Sequence, residues 1–364
     1  MSAGLDTAPP QTLRIADRAR RGRTLGGRGR VSVRVEGRTV GVCAALLVAL
    51  LGVVSLLLST GDYPLSIPEV LRTLIGQGER ASEFIVLGLR LPRVVVGALC
   101  GVALGVAGAI FQQVTRNPLG SPDIIGFTTG AVTGALVVLL VLERTGLAVA
   151  LGAVAGGFVN ALLVYVLAVR GGGLQGYRLI LVGIGLTAVL SALNNYLLTR
   201  AQLEQAQAAQ VWITGSLNGR GWEQALPLAV GLALLLPVAL AMGRPLTMLD
   251  LGDDAARALG VRVDLTRGLV LLVGVALTAL AALAAGPISF VALTAPQIAR
   301  RLTRSVGSGL VAAGLTGAVL LLLSDFAAQR LFAPTQLPVG VVTGAVGGLY
   351  LAWLLVGQWR RGRG

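Results

Sequence analysis

Hydrophobic residues in this chain do not alternate with polar ones. They run in blocks of about twenty, the length of a membrane-spanning helix, interrupted by polar segments rich in Gly and Pro. The clearest block is Val94 to Val114, 21 residues without a charge. At ~1.5 Å rise per residue it makes about 31 Å of helix, one bilayer core. The same reading gives ten candidate spans, at residues 40–60, 92–114, 126–142, 147–169, 179–198, 225–242, 268–285, 287–302, 310–326 and 339–356. The eighth is short and carries Pro296. Between the first two spans, Ser66-Ile67-Pro68-Glu69 has the form of a capping box with Pro in the first turn, which predicts a short helix over 67–75 lying across the surface. A run of Gln and Ala within 199–222 predicts another. The fold class expected is an all-α polytopic membrane protein of about ten transmembrane helices.

Composition agrees. The chain of 364 residues is 55% hydrophobic, with mean hydropathy +0.81. Its 51 glycines suit closely packed membrane helices. Gly97, Gly101, Gly105 and Gly108 form a stripe on the second span, where a neighbouring helix can approach closely. There is no His, and all 30 basic residues are Arg. A P-loop, which needs Lys, is therefore excluded, as is a zinc or haem site built on His. Cys43 and Cys100 lie in apolar runs and read as small buried hydrophobes.

Charge gives the orientation. Nine arginines precede residue 39, in a Gly/Arg-rich tail (1–39) that reads as disordered and lying against anionic lipid. The tail has no aromatic side chain to stack on bases, so nucleic acid is not expected as a partner. Ten spans with both termini inside put 22 arginines on the inner side and 8 on the outer, which predicts cytoplasmic termini, a permease domain over 40–357 and a short basic tail at 358–364. Few carboxylates fall within the spans; Asp325 is the exception. That scarcity argues against a proton-driven carrier and for an external energy source.

Several polar stretches are candidates for function. Arg90 and Arg93, three apart, share a helix face at one end of the second span. Arg116-Asn117-Pro118-Leu119 breaks the chain at the other end. Leu251-Gly252-Asp253-Asp254-Ala255 leads through Leu259 to Gly260 with helix logic throughout. Asp253 can cap, Asp254 favours the N-terminal dipole, Leu251, Ala255, Ala258 and Leu259 share a face, and Gly260 can end the helix left-handed. Such a helix is either a docking knob or a surface rest on the bilayer. Asn194 and Asn195 in the fifth span are candidate pathway residues, or polar glue between helices.

Leu-Arg-Leu-Pro-Arg at 89–93, Arg-Asn-Pro-Leu at 116–119 and Pro-x-x-x-Gly at 122–126 together resemble the membrane subunits of bacterial ABC importers for iron–siderophore complexes and vitamin B12. The resemblance runs over about residues 40 to 357. It implies a type II importer permease fold, a second permease subunit (identical or homologous), two copies of an ATPase and an extracytoplasmic substrate-binding lipoprotein. ATP and magnesium would sit on the ATPase, with no cofactor in this chain. Arg90, Arg93 and Arg330 would dock the binding protein, and residues 251–261 would seat in the ATPase. Gly286 to Arg300 resembles a family motif that includes Pro296 and Arg300, with Gln297 where the family usually has His. Gln keeps hydrogen bonding and loses titration. Gln336-Leu-Pro-Val-Gly340 resembles the ferric-enterobactin-type variant of another motif. The family often places Asp and Arg four apart upstream of it; here Asp325 is followed by Gln329, and Arg330 comes one place later. The resemblance also implies an inverted repeat of spans two to five and seven to ten. The sequence itself offers only an echo between the Gly-rich stretches 126–134 and 340–348. The expected function is import of ferric siderophore; cobalamin or haem import and a stand-alone secondary carrier are the alternatives.

Overall fold

The computed structural model describes residues 22–25, 33–123, 126–170, 173–174, 176–305, 307–331, 333 and 335–361. Of the basic tail it describes two short antiparallel strands, β1 (Gly22–Leu25) and β2 (Val33–Glu36), just before the first helix. The remainder of the tail, the end of the C-terminal tail and residues 124–125 of the Pro-x-x-x-Gly motif lie outside the described residues.

The apolar blocks become helices in the expected order. α1 is Gly37–Ser59, and α2, Ile67–Leu74, is capped by Ser66, whose hydroxyl accepts from the Glu69 N–H. α3 (Arg80–Glu83) runs through a π-helical stretch, Phe84–Arg90, into α4, Leu91–Thr115. α5 is Phe127–Leu136, prolonged by a π-helical turn, and α6 is Leu147–Ala168. β3 (Val169–Arg170) and β4 (Gly173–Leu174) pair before α7, Gly176–Arg200. The Gln/Ala run forms α8, Leu203–Ile213. Then come α9 (Trp222–Ala241), α10 (Gly243–Leu249), α11 (Asp253–Ala258), α12 (Val263–Ala285), α13 (Val291–Thr303), α14 (Leu310–Arg330) and α15 (Val339–Arg361).

Seven of the described helices are long and apolar enough to cross a membrane. Two of the other three expected spans, the third and the eighth, are short, while the tenth is the 23-residue helix α15. The third is helical over Phe127–Val141, and the eighth, α13, has 13 residues. At ~1.5 Å per residue, α13 reaches only about 20 Å, less than a bilayer core. The missing length is non-helical chain leading into α5 and α13. Gly126 (φ 87°) and Phe290 (φ 69°) turn that chain into the two helices in the left-handed region, which a residue such as Phe seldom adopts. Non-helical backbone at membrane depth is tolerated where protein buries it, as it does here: Gly126 is buried, as are Ile288 and Val291 on either side of Phe290.

The second span starts earlier than its sequence suggests. Helix is continuous from Arg80 to Thr115, so Pro92 lies within a helical run rather than in a first turn. The π-helical stretch makes room for it: Leu91 N–H donates to Val86 O, five residues back, so the wider turn absorbs the ring that an α-helical turn would reject.

α4 forms the centre, walled by α12, α13 and α14. Its glycine stripe is in contact with two of them. A Cβ on Gly101 would lie 2.5 Å from Gly317 O, one on Gly105 2.2 Å from Ala313 O, and one on Gly108 1.7 Å from Ala292 O. α5 packs on α6 as α13 packs on α14, and α4 meets α14 as α12 meets α6. This is the exchange of contacts expected of two repeated units. The echo between 126–134 and 340–348 has another meaning. Gly130 and Gly134 abut α6, whereas Gly344 and Gly348 face open space. α1 lies at the periphery against α14, with only Leu57 and Leu58 of its residues buried.

Candidate functional site

Arg93, near the start of α4, meets Asp325 of α14. Its Nη2 lies 2.8 Å from Oδ1 and its Nε 3.0 Å from Oδ2. Asp325 is fully buried and accepts a third bond from Gln329 Nε2 at 2.8 Å. Gln329 thus takes up the position four residues on, and Arg330 turns elsewhere. Arg90 donates to Leu58 O at 2.6 Å and to Tyr63 O at 2.5 Å, fastening the end of α1 and the loop after it. Two of the three arginines proposed for docking, Arg90 and Arg93, therefore also hold the fold together. With Arg220 and Arg330 they line a cavity of about 480 Å³ at this end of the bundle. Arg220, which sequence reasoning did not single out, is held there by its bond to Ser216 O at 3.2 Å.

At the opposite end α4 stops at Arg116, whose backbone is left-handed at φ 50°. The Arg116 guanidinium donates to Leu249 O at 2.8 Å and to Asp253 Oδ1 at 2.5 Å. Arg267 of α12 donates to the same oxygen at 2.8 Å. Asp253 opens α11 but does not cap it; its carboxylate turns to the two guanidiniums, which correspond to stronger bonds than a backbone N–H offers. Gly252 (φ 108°) occupies the cap position, and Gly260 ends the segment left-handed at φ 84°, as its place in the sequence suggests. Leu249, Ala256 and Val263 form a small buried cluster beneath α11, while Leu251 and Leu259 stay 65% and 58% exposed. Among the described residues Asp254 pairs only with Arg257 on the same helix. Burial raises the Asp253 pKa, but the bonds from Arg267 and Arg116 outweigh it and hold the carboxyl below the usual range. Burial pushes the neighbouring Asp250 carboxyl up, against the pull of Arg300 and Arg116.

The Arg116–Leu119 loop is closed by Asn117, whose Oδ1 accepts from Leu119 N–H at 2.9 Å. Gln297, buried on α13 one place after Pro296, donates to Pro118 O at 2.6 Å and lies 3.5 Å from the Tyr350 hydroxyl. Arg301 stacks over Trp353 and Tyr350, at 4.7 and 5.6 Å from their ring centroids. Gln112 and Gln113, hidden in an apolar block, tie α4 to Leu293 O and Ser308 O at 2.8 and 3.1 Å. Asp325 is also not the sole acid at depth: Asp123 accepts from the Thr128 hydroxyl and from Phe290 N–H, joining the two non-helical approaches. Its position in a Pro-rich loop conceals that depth. Asn194 is buried, with its Oδ1 unbonded among the described residues, while Asn195 is exposed.

The chain is 48% identical to the ferric enterobactin transport system permease protein FepG of Escherichia coli, with 84% of this chain and 92% of that one aligned. It is 39% identical to the achromobactin transport system permease protein CbrC of Dickeya dadantii, over 91% and 95% of the two chains. Among solved structures, a metal-chelate type ABC transporter in an inward-facing conformation superposes with a TM-score of 0.79 at 26% identity, covering 87% of this chain and 99% of that one. A family model spans residues 46–357, nearly all of the helical bundle, and by that match the chain belongs to the FecCD transport family.

Proposed function

We propose that this chain is the membrane-spanning subunit of an ABC importer that carries ferric siderophore across the cytoplasmic membrane by alternating access, with its termini in the cytoplasm. The observation that carries the reading is α11. It is a six-residue helix fastened to the bundle on one side, with Leu251 and Leu259 left exposed on the other. A chain without a nucleotide motif needs energy from elsewhere, and such a helix suits a groove in an ATPase subunit. ATP and magnesium then belong to that partner. A second permease subunit completes the pathway. The arginine-lined cavity at the far end suits an acidic binding protein that delivers the chelate, with Arg330 the residue least engaged in the fold. The siderophore relatives support the choice of cargo over cobalamin or haem.

The test is reconstitution. Vesicles holding this chain, its second permease, the ATPase and the binding protein should take up ferric enterobactin only with ATP inside the ATPase compartment. Uptake by vesicles holding this chain alone would favour a stand-alone carrier instead, and ATP-dependent uptake of cobalamin but not of ferric chelate would change the cargo.

A further inference from the structure

The cluster beneath α11 joins three separate elements through one oxygen. Arg116 ends α4, Arg267 belongs to the start of α12, and both donate to Asp253 Oδ1, at 2.5 and 2.8 Å. Arg116 also reaches back to Leu249 O at the end of α10, by its Nε at 3.2 Å and its Nη2 at 2.8 Å. A helix that only rested on the bilayer surface would need no such fastening. The apolar seat formed by Leu249, Ala256 and Val263 is small and non-directional, so it resists sliding poorly. Two charge-assisted hydrogen bonds from different helices fix both position and direction.

We infer that Asp253 is the pin through which α11 moves α4 and α12 as one body, with Arg116 and Arg267 as positioning residues for energy coupling. The inference rests on the reading of α11 as the ATPase-docking helix. A push on the exposed Leu251–Leu259 side passes through the pin into the end of α4. The close contacts at Gly101 and Gly105 then pass it to α14, because at those two positions backbone meets backbone. The Arg116 and Asp253 side chains are 44% and 33% exposed, so solvent competes for the bond and its loss is felt in coupling more than in folding.

The experiment uses the complete transporter in proteoliposomes and reads three things: ATPase association, ATP hydrolysis, and uptake of radioiron-labelled ferric enterobactin. Asp253→Asn and Arg116→Gln should leave the ATPase bound and hydrolysing, while uptake per ATP falls at least tenfold. Asp253→Glu, which keeps the charge, should regain a good part of the loss. Arg262→Gln removes an exposed arginine from the same loop and should change nothing. Wild-type uptake per ATP in Arg116→Gln and Asp253→Asn overturns the pin. So does loss of ATPase association in either, since Asp253 would then belong to the docking surface itself. If Asp253→Asn fails to insert, Arg116→Gln decides alone, because it buries no new charge. A wild-type complex that binds no ATPase overturns the underlying reading before any variant is compared.

Discussion

The two ends of α4 carry the same chemistry in opposite settings. At one end Arg93 meets Asp325 in a two-point contact, with the carboxylate wholly out of solvent and a third donor on it. At the other, Arg116 meets Asp253 where both side chains are a third or more exposed. Charge pairing by itself therefore does not say what a pair is for. A buried pair has already paid its desolvation, and removing one partner strands the other, so it behaves as a weld. A pair that water can reach makes and breaks at little cost, which suits a joint. On the proposed reading of α11, one end of the helix stays closed and the other is pushed.

The largest expected effect comes from breaking the weld. Arg93→Gln or Asp325→Asn leaves an unpaired charge or an unmatched buried guanidinium, costing about 3–5 kcal/mol. The protein should fail to accumulate in membranes, read by yield and by melting in detergent. Replacing both residues with Leu removes the stranded charge, and most of the yield should return. If the single variants melt like wild type, the two ends are not different in kind. Next in size is Gly105→Leu. A Cβ there already lies 2.2 Å from Ala313 O, so the side chain must wedge α4 from α14, at about 1–3 kcal/mol. Melting should fall and uptake with it.

At the joint the effects move from stability to function. Leu259→Asp places a charge on the exposed side of α11 and should abolish ATPase association while leaving the melting curve within about 1 kcal/mol of wild type. At the mouth, the engagement of Arg93 with Asp325 makes Arg93→Glu a test of folding and not of docking. Arg330→Glu is the cleaner probe: binding-protein affinity should fall severalfold, less so in high salt. Equal affinity in both proteins at low salt would move the docking surface away from Arg330.

The smallest effect concerns pH. Asp253 has a depressed pKa, so its bonds are complete above the ordinary carboxylate range and are lost only as pH falls through that depressed value. With no His in the chain, uptake should be flat from about pH 6 to 8. Gln297→His should add a decline on acidification, as protonation of a buried imidazole disturbs the contact to Pro118. A slope in the wild type that survives exchange of the partner subunits would contradict this account.

What the sequence conveyed follows from how locally each feature is encoded. The spans, the glycine stripe, the Ser66 cap and the left-handed end at Gly260 each depend on residues within a turn or two. They were legible, and so was the exposed side of α11. The partner of Arg93 lies 232 residues away, and no spacing rule points to it. Asp253 looked like a cap because only its own helix was in view; two arginines from elsewhere outbid the backbone. Asp123 read as a loop residue because hydropathy records how apolar a segment is, not how deep the chain is carried before its helix begins. The short eighth span was legible, because Pro296 and the polar residues around it interrupt the apolar run; the left-handed turn at Phe290 that starts its helix was not.

One consequence of the unbroken run from Arg80 to Thr115 is mechanical advantage. At ~1.5 Å per residue its 36 residues have a contour of about 54 Å, roughly 24 Å more than a bilayer core. A tilt of only about 5° around its midpoint carries each tip some 2 Å, in opposite directions, which is enough to part a hydrogen bond. Under the proposed function, a small rotation that nucleotide starts on one side of the membrane would arrive through this length as a displacement on the other. A shorter span would confine that movement to the lipid, and the two aqueous faces would have no common lever.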